Sequence, residues 1–296
     1  MLLLAFLAAC VPDEGSETGP ADPGETGDSG EGVDEGPAPA ELVDPSGGSC
    51  PDFTANKVEM VSAELDREAL VYLPEGDPTG APVLFVWHPL GGDARYMARA
   101  LDLEDYAIET GAVVIVPEAT GKFPFDWDFA GDGEEDLALY DDLRSCVVTE
   151  LGVDVRRVGV TGFSAGALWT TFLGIHRGDT LASLLAFSGG TQPMVAYETP
   201  AMTFPALLTE GGESDTYGSG GASVSFHEAT FAFAEQLTAD GHLVTVCSHT
   251  RGHDLPPDAE TILREWPAAH RYGEPSPFAE GDLSVLPDIC TRYTGE

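Results

Sequence analysis

The stretch 153–167, Val-Asp-Val-Arg-Arg-Val-Gly-Val-Thr-Gly-Phe-Ser-Ala-Gly-Ala, carries the reading that decides the fold. Val158-Gly159-Val160-Thr161 is a β-rich run, and the residues from 165 to 176 predict a helix. Between them lies Gly162-Phe163-Ser164-Ala165-Gly166, the pattern G-x-S-x-G. Gly and Ser are common, so the pattern alone is weak; its place between a strand and a helix gives it weight. A serine in so tight a strand-to-helix turn needs small neighbours, which Gly162 and Gly166 supply. The helix that follows aims its N-terminal dipole at any negative charge developing there. These features make Ser164 the candidate nucleophile.

Outward from this turn the chain alternates strand and helix. Strands are predicted over 69–73, 83–87, 113–116, 184–187, 206–209 and 243–246, and helices over 94–109, 135–150, 223–239 and 259–271. Val83-Leu84-Phe85-Val86-Trp87 is apolar throughout, as expected of a strand covered on both faces. Strands separated by helices of this length imply βαβ units, and hence an α/β fold with a mostly parallel sheet and helices on both sides.

A serine nucleophile needs a base, an orienting acid and donors for an oxyanion. His88-Pro89-Leu90-Gly91-Gly92 follows the strand 83–87 directly. Pro89 has no N–H to give, so the amide of Leu90 is the candidate donor from this loop, beside the amide of Ala165. His88 reads as structural there. Of seven histidines, His253 lies in a loop beyond the strand 243–246, at the carboxyl edge of the sheet where open α/β folds bind ligands. Its rival His249 follows the strand too closely to swing over it. The strand 206–209 runs into Glu210-Gly211-Gly212-Glu213-Ser214-Asp215. Asp215 has the best offset beyond the glycines, with Glu213 and Glu210 as alternatives. The acidic loop holding Asp126, Asp128, Asp132, Glu134, Glu135 and Asp136 departs from calcium-loop spacing. It reads as a solvated loop and helix cap, so no metal is expected. Trp127 in that loop reads as a core or cleft-wall residue, placed where it could edge the site.

The chain of 296 residues carries 51 acidic and 13 basic side chains, a formal net charge of −38. Phosphate backbones require clustered cations, so nucleic acid is excluded as a partner, and an anionic membrane surface is disfavoured. Residues 11–48 hold eleven of the acids and no base, interleaved with Gly, Pro, Ser and Thr. Such a stretch predicts a disordered linker. It separates the apolar segment 1–10, Met-Leu-Leu-Leu-Ala-Phe-Leu-Ala-Ala-Cys, from a globular domain over 50–296. The apolar run is too short to span a bilayer and predicts a signal for export. Cys50, Cys146, Cys247 and Cys290 then read as two disulfides in any of three pairings.

The end of the apolar run, Leu7-Ala8-Ala9-Cys10, resembles a bacterial lipobox, which implies lipidation at Cys10 and a membrane-anchored or otherwise secreted protein. His88–Gly92, the stretch 153–167, Gly211-Gly212-Glu213-Ser214-Asp215-Thr216 and His249-Thr250-Arg251-Gly252-His253-Asp254-Leu255-Pro256 together resemble the α/β-hydrolases. More narrowly they resemble the secreted group of polyhydroxybutyrate depolymerase-like proteins, feruloyl esterases and acetylxylan esterases. Members of that group usually read His-Gly where this chain has His88-Pro89, and Ser-Ala-Gly-Gly where it has Ser164-Ala165-Gly166-Ala167. The resemblance implies a serine esterase without cofactor, acting on small or polymeric carboxylic esters. Alternatives are a peptidase or other acyl hydrolase on the same scaffold, or a surface-binding protein without activity.

Overall fold

The computed structural model of the chain describes residues 36–121, 124–219 and 223–295. The segment 1–10 with Cys10, and the linker as far as residue 35, lie outside the described residues.

Eleven strands and six α-helices are described. Nine strands form one sheet in the order β1-β2-β4-β3-β5-β6-β7-β10-β11. Its centre is parallel: β3 (Val83–Trp87), β4 (Val113–Pro117), β5 (Val158–Phe163), β6 (Ser183–Phe187), β7 (Ala206–Glu210) and β10 (Val244–Ser248). β1 (Lys57–Ser62) and β2 (Leu65–Tyr72) add antiparallel strands at one side, and β11 (Cys290–Arg292) closes the other. The apolar central strands are buried on both faces, as their composition requires. Val83, Phe85 and Trp87 point into one core with α3 (Glu134–Leu151), α4 (Ala165–Arg177) and α5 (Phe226–Ala239). Leu84 and Val86 point into the other, with α1 (Ala94–Ala100), α2 (Leu103–Thr110) and α6 (Ala259–Ala268).

The structure corrects several expectations. The predicted helix 94–109 is two helices, because Asp102 takes a left-handed conformation with φ 45° between α1 and α2. Residues 36–48, assigned by composition to a disordered linker, are fastened to the domain. Arg144 Nη2 donates to Ala40 O (2.7 Å), Arg156 Nη1 to Pro37 O (2.9 Å), and the amides of Val43 and Ser46 donate to Ser145 Oγ and Asp142 Oδ1. The segment lacks apolar mass, but its backbone polar groups find buried partners on α3 that composition cannot reveal. Asp136 is no solvated helix cap either. It is buried, and its carboxylate takes Arg67 Nη2 at 2.7 Å and the amide of Asp128 at 3.0 Å. Strand β1 was not expected, although the alternation in Lys-Val-Glu-Met-Val-Ser is its signal: Val58, Met60 and Ser62 turn inward.

The four cysteines pair as Cys50–Cys146 and Cys247–Cys290. The first staples the chain ahead of β1 to α3; the second joins β10 to β11, where the two residues are register partners.

Candidate active site

All the residues singled out for acyl chemistry stand at the carboxyl edge of the parallel strands. β5 ends at Phe163, and Ser164 sits in the turn into α4 with φ 57° and ψ −120°. That conformation is costly for a residue with a side chain and persists only where its surroundings enforce it. Here the enforcement is close packing around the two glycines. A Cβ on Gly162 would lie 2.4 Å from Gly166 O, and one on Gly166 would lie 2.2 Å from Trp87 O and 2.7 Å from His88 O. The first turn of α4 is thus pressed onto the end of β3, which brings the 88–92 loop beside Ser164.

Ser164 Oγ is 2.8 Å from His253 Nε2, and His253 Nδ1 is 2.7 Å from Asp215 Oδ1. Asp215 is fully buried, and its second oxygen accepts from the amide of Gly211 (2.9 Å) and from Ser188 Oγ (2.8 Å). With Nδ1–H directed to the carboxylate, Nε2 is left to accept the Ser164 hydroxyl proton. The imidazole lies between two phenyl rings, Phe226 (centroids 4.3 Å apart) and Phe163 (5.1 Å), both nearly parallel to it. Its ring plane is therefore fixed by packing as well as by hydrogen bonds. Tyr217, more than half exposed, stands 6.0 Å from the imidazole at the rim.

The alternatives are otherwise engaged. His249 is buried; its Nδ1 accepts the amide of Arg251 (3.2 Å), and burial lowers its pKa. Glu210 accepts the amide of Gly212 (2.6 Å) and pairs with His227 (2.8 Å), away from Ser164. Glu213 is exposed. His88 is structural, with Nδ1 donating to Pro89 O (3.0 Å) and Nε2 accepting the amide of Ala119 (3.1 Å). Trp127 does not edge the site: it is buried, and its Nε1 donates to His88 O at 2.8 Å, bracing the loop from beneath.

The loop itself is a tight turn. Gly92 N donates to Pro89 O (2.9 Å), Gly91 takes φ 69°, and Gly91 N donates to Asp126 Oδ2 (2.7 Å). Among the described residues, the amides of Leu90 and Ala165 give no hydrogen bond to another protein group. The first belongs to the braced loop, the second to the N-terminus of α4. Asp126 is read from the sequence only as part of a solvated acidic loop, yet it accepts from Gly91 N; Ser188 is not singled out there at all. Neither lies in a motif, and the signal each offers, a positive φ at a residue other than glycine, is visible only in three dimensions.

The fold has many solved counterparts. A structure described as native sOPH aligns over 86% of this chain and 97% of its own, with TM-score 0.69 and 18% identity. An S-formylglutathione hydrolase from Staphylococcus aureus aligns over 72% of this chain and 97% of its own, with TM-score 0.53 and 15% identity. The strand order, the serine turn after β5 and these neighbours agree. The chain has the α/β-hydrolase fold.

No family model matches the chain. Among curated proteins it is similar to feruloyl esterase B of Talaromyces stipitatus, 29% identical over 125 residues, which are 40% of this chain and 35% of that protein. It is also similar to a bifunctional acetylxylan esterase/xylanase of Neocallimastix patriciarum, 26% identical over 123 residues, 42% of this chain and 18% of that protein. The chain thus spans well under half the length of these relatives. The described residues contain no cluster of metal-ligating side chains, and no helix long and apolar enough to cross a membrane.

Proposed function

We propose that this protein is a serine esterase that cleaves carboxylic esters through an acyl-enzyme. The observation that carries the reading is the hydrogen-bonded chain from Ser164 through His253 to buried Asp215, next to two amides without partners among the described residues. Ser164 Oγ attacks the ester carbonyl carbon while its proton passes to His253 Nε2. Asp215 keeps the imidazole in the accepting tautomer and offsets its positive charge. The amides of Leu90 and Ala165 donate to the tetrahedral oxyanion, at the helix end where negative charge is favoured. On collapse the bond to the alkoxide breaks, and His253 returns the proton to it. Water then repeats the sequence on the acyl-Ser164 ester and releases the acid. No cofactor takes part.

The substrates are acyl esters of the kind that the relatives' names imply, small or carried on a neutral polymer. The strongly negative surface would repel polyanionic esters. The protein is exported, which its two disulfides favour, and is held to a membrane through a lipid on Cys10 or else released.

The test is hydrolysis of p-nitrophenyl acetate by the full chain beside Ser164→Ala. Turnover that disappears in the folded variant supports the acyl-enzyme; turnover that survives removes Ser164 from the chemistry.

A further inference from the structure

We infer that Ser188 is a positioning residue of this site, resting on the acyl-enzyme reading above: through Asp215, it holds His253 in register with Ser164. Three hydrogen bonds converge on the end of β6. The amide of Ser164 donates to Phe187 O (3.0 Å), the amide of Ser188 donates to Thr209 O (3.0 Å), and Ser188 Oγ donates to Asp215 Oδ2 (2.8 Å). One dipeptide, Phe187-Ser188, therefore ties the turn that presents the nucleophile to the loop that presents the acid.

Ser188 adopts φ 53° and is fully buried. A left-handed conformation favours glycine, and a side chain there costs on the order of 1 kcal/mol or more. Folding alone would be served at least as well by glycine at this position. The strained serine supplies a hydroxyl aimed at the one oxygen of Asp215 that does not face His253. With the amide of Gly211, that hydroxyl leaves the buried carboxylate with donors on both oxygens. It fixes the carboxylate plane, and with it the direction in which His253 Nδ1–H points.

The decisive variant is Ser188→Gly, because it relieves the backbone while deleting the hydroxyl. A merely structural serine would give a protein of equal or higher stability and unchanged kinetics. Loss of a hydrogen bond to a charged group predicts instead a kcat for p-nitrophenyl acetate about 10- to 100-fold lower. KM should change less than about twofold, since Ser188 touches no substrate. The acid limb of the kcat/KM profile should move to higher pH, because the carboxylate, left with the Gly211 amide alone on that oxygen, attracts the imidazolium of His253 more strongly. Ser188→Ala, which keeps the strained backbone, should show the same kinetic losses. It carries the test if Ser188→Gly gives no folded protein. Full kcat with an unmoved pH profile in either folded variant overturns the assignment. Ser164→Ala, assayed alongside, separates the two failures. If it is inactive while Ser188→Gly is fully active, only the positioning role falls; if it is active, the esterase reading itself falls.

Discussion

The two edges of the central sheet are built on opposite terms. At the carboxyl edge, Ser164, Ser188 and Asp126 hold positive φ values, and the amides of Leu90 and Ala165 have no hydrogen-bond partner among the described residues. At the amino edge, residues 37–40 lie against the loops that enter β5 and β6. There Ala40 N donates to Asp179 O (2.9 Å), Tyr272 N to Arg156 O (2.7 Å), and Arg156 Nη1 to both Pro37 O and Tyr272 O. One edge keeps strain and open donors, the other satisfies its polar groups, and the staple Cys50–Cys146 ties the chain ahead of β1 to α3. The contrast teaches that reactivity and stability can be damaged separately in this molecule.

The largest expected effect lies at the carboxyl edge. Ser164→Ala should lower kcat/KM by about 10⁴-fold or more, while its urea midpoint stays close to that of the parent. A collapse of stability in this variant would break the separation. Next comes the staple, whose two cysteines are 96 residues apart in the chain. Replacing both Cys50 and Cys146 by serine should cost about 5 kcal/mol in urea unfolding, by the chain-entropy argument. The fraction that remains folded should turn over ester at the parental rate, and a slow folded fraction would show that the staple also orders the site.

Acid should act first at the amino edge. His270 is buried against Trp266 and Phe278, and burial pushes its pKa down to about 4 from the ordinary 6.5. Between those values the unfolded chain binds the proton and the folded one does not. This part of the stability is therefore complete above pH 6.5 and falls as the pH drops toward 4, by about 3 kcal/mol in all. Burial lowers the pKa values of His242 and His249 in the same direction. His270→Phe should flatten the slope of urea midpoint against pH over that range, and an unchanged slope would locate the acid sensitivity elsewhere.

The smallest effect compares two histidine–carboxylate pairs that look alike in distance. His253 lies 2.7 Å from Asp215, and His227 lies 2.8 Å from Glu210. Only the first reaches a serine. His227→Ala should cost about 1 kcal/mol and leave kcat within about threefold, because the second pair is partly solvated and holds only the Gly212 turn.

Much of the carboxyl edge was legible because close packing there demands particular residue types. Gly162 and Gly166 are readable as glycines, since any Cβ would strike backbone, and Asp215 and His253 follow from their offsets beyond strands of recognisable composition. Ser188 and Asp126 were illegible, because a serine or aspartate that bonds across space leaves no periodic trace. The fastening of residues 36–48 was misjudged for a related reason: apolar content predicts burial, but backbone hydrogen bonds to Arg144 and Asp142 need no apolar side chain. The strand Lys57–Ser62 was readable and was missed, its alternation being short and interrupted by charge.

The central claim, that Ser164 is the reactive group of the carboxyl edge, is tested most directly by treating the full chain with a fluorophosphonate. In that reaction the serine oxygen displaces fluoride at phosphorus, and the adduct is mapped by peptide mass spectrometry. The expected product is one phosphonyl group per chain, on the peptide that contains Ser164, with no adduct in His253→Ala on the same timescale. An adduct on another serine, or none on a folded protein, would contradict it.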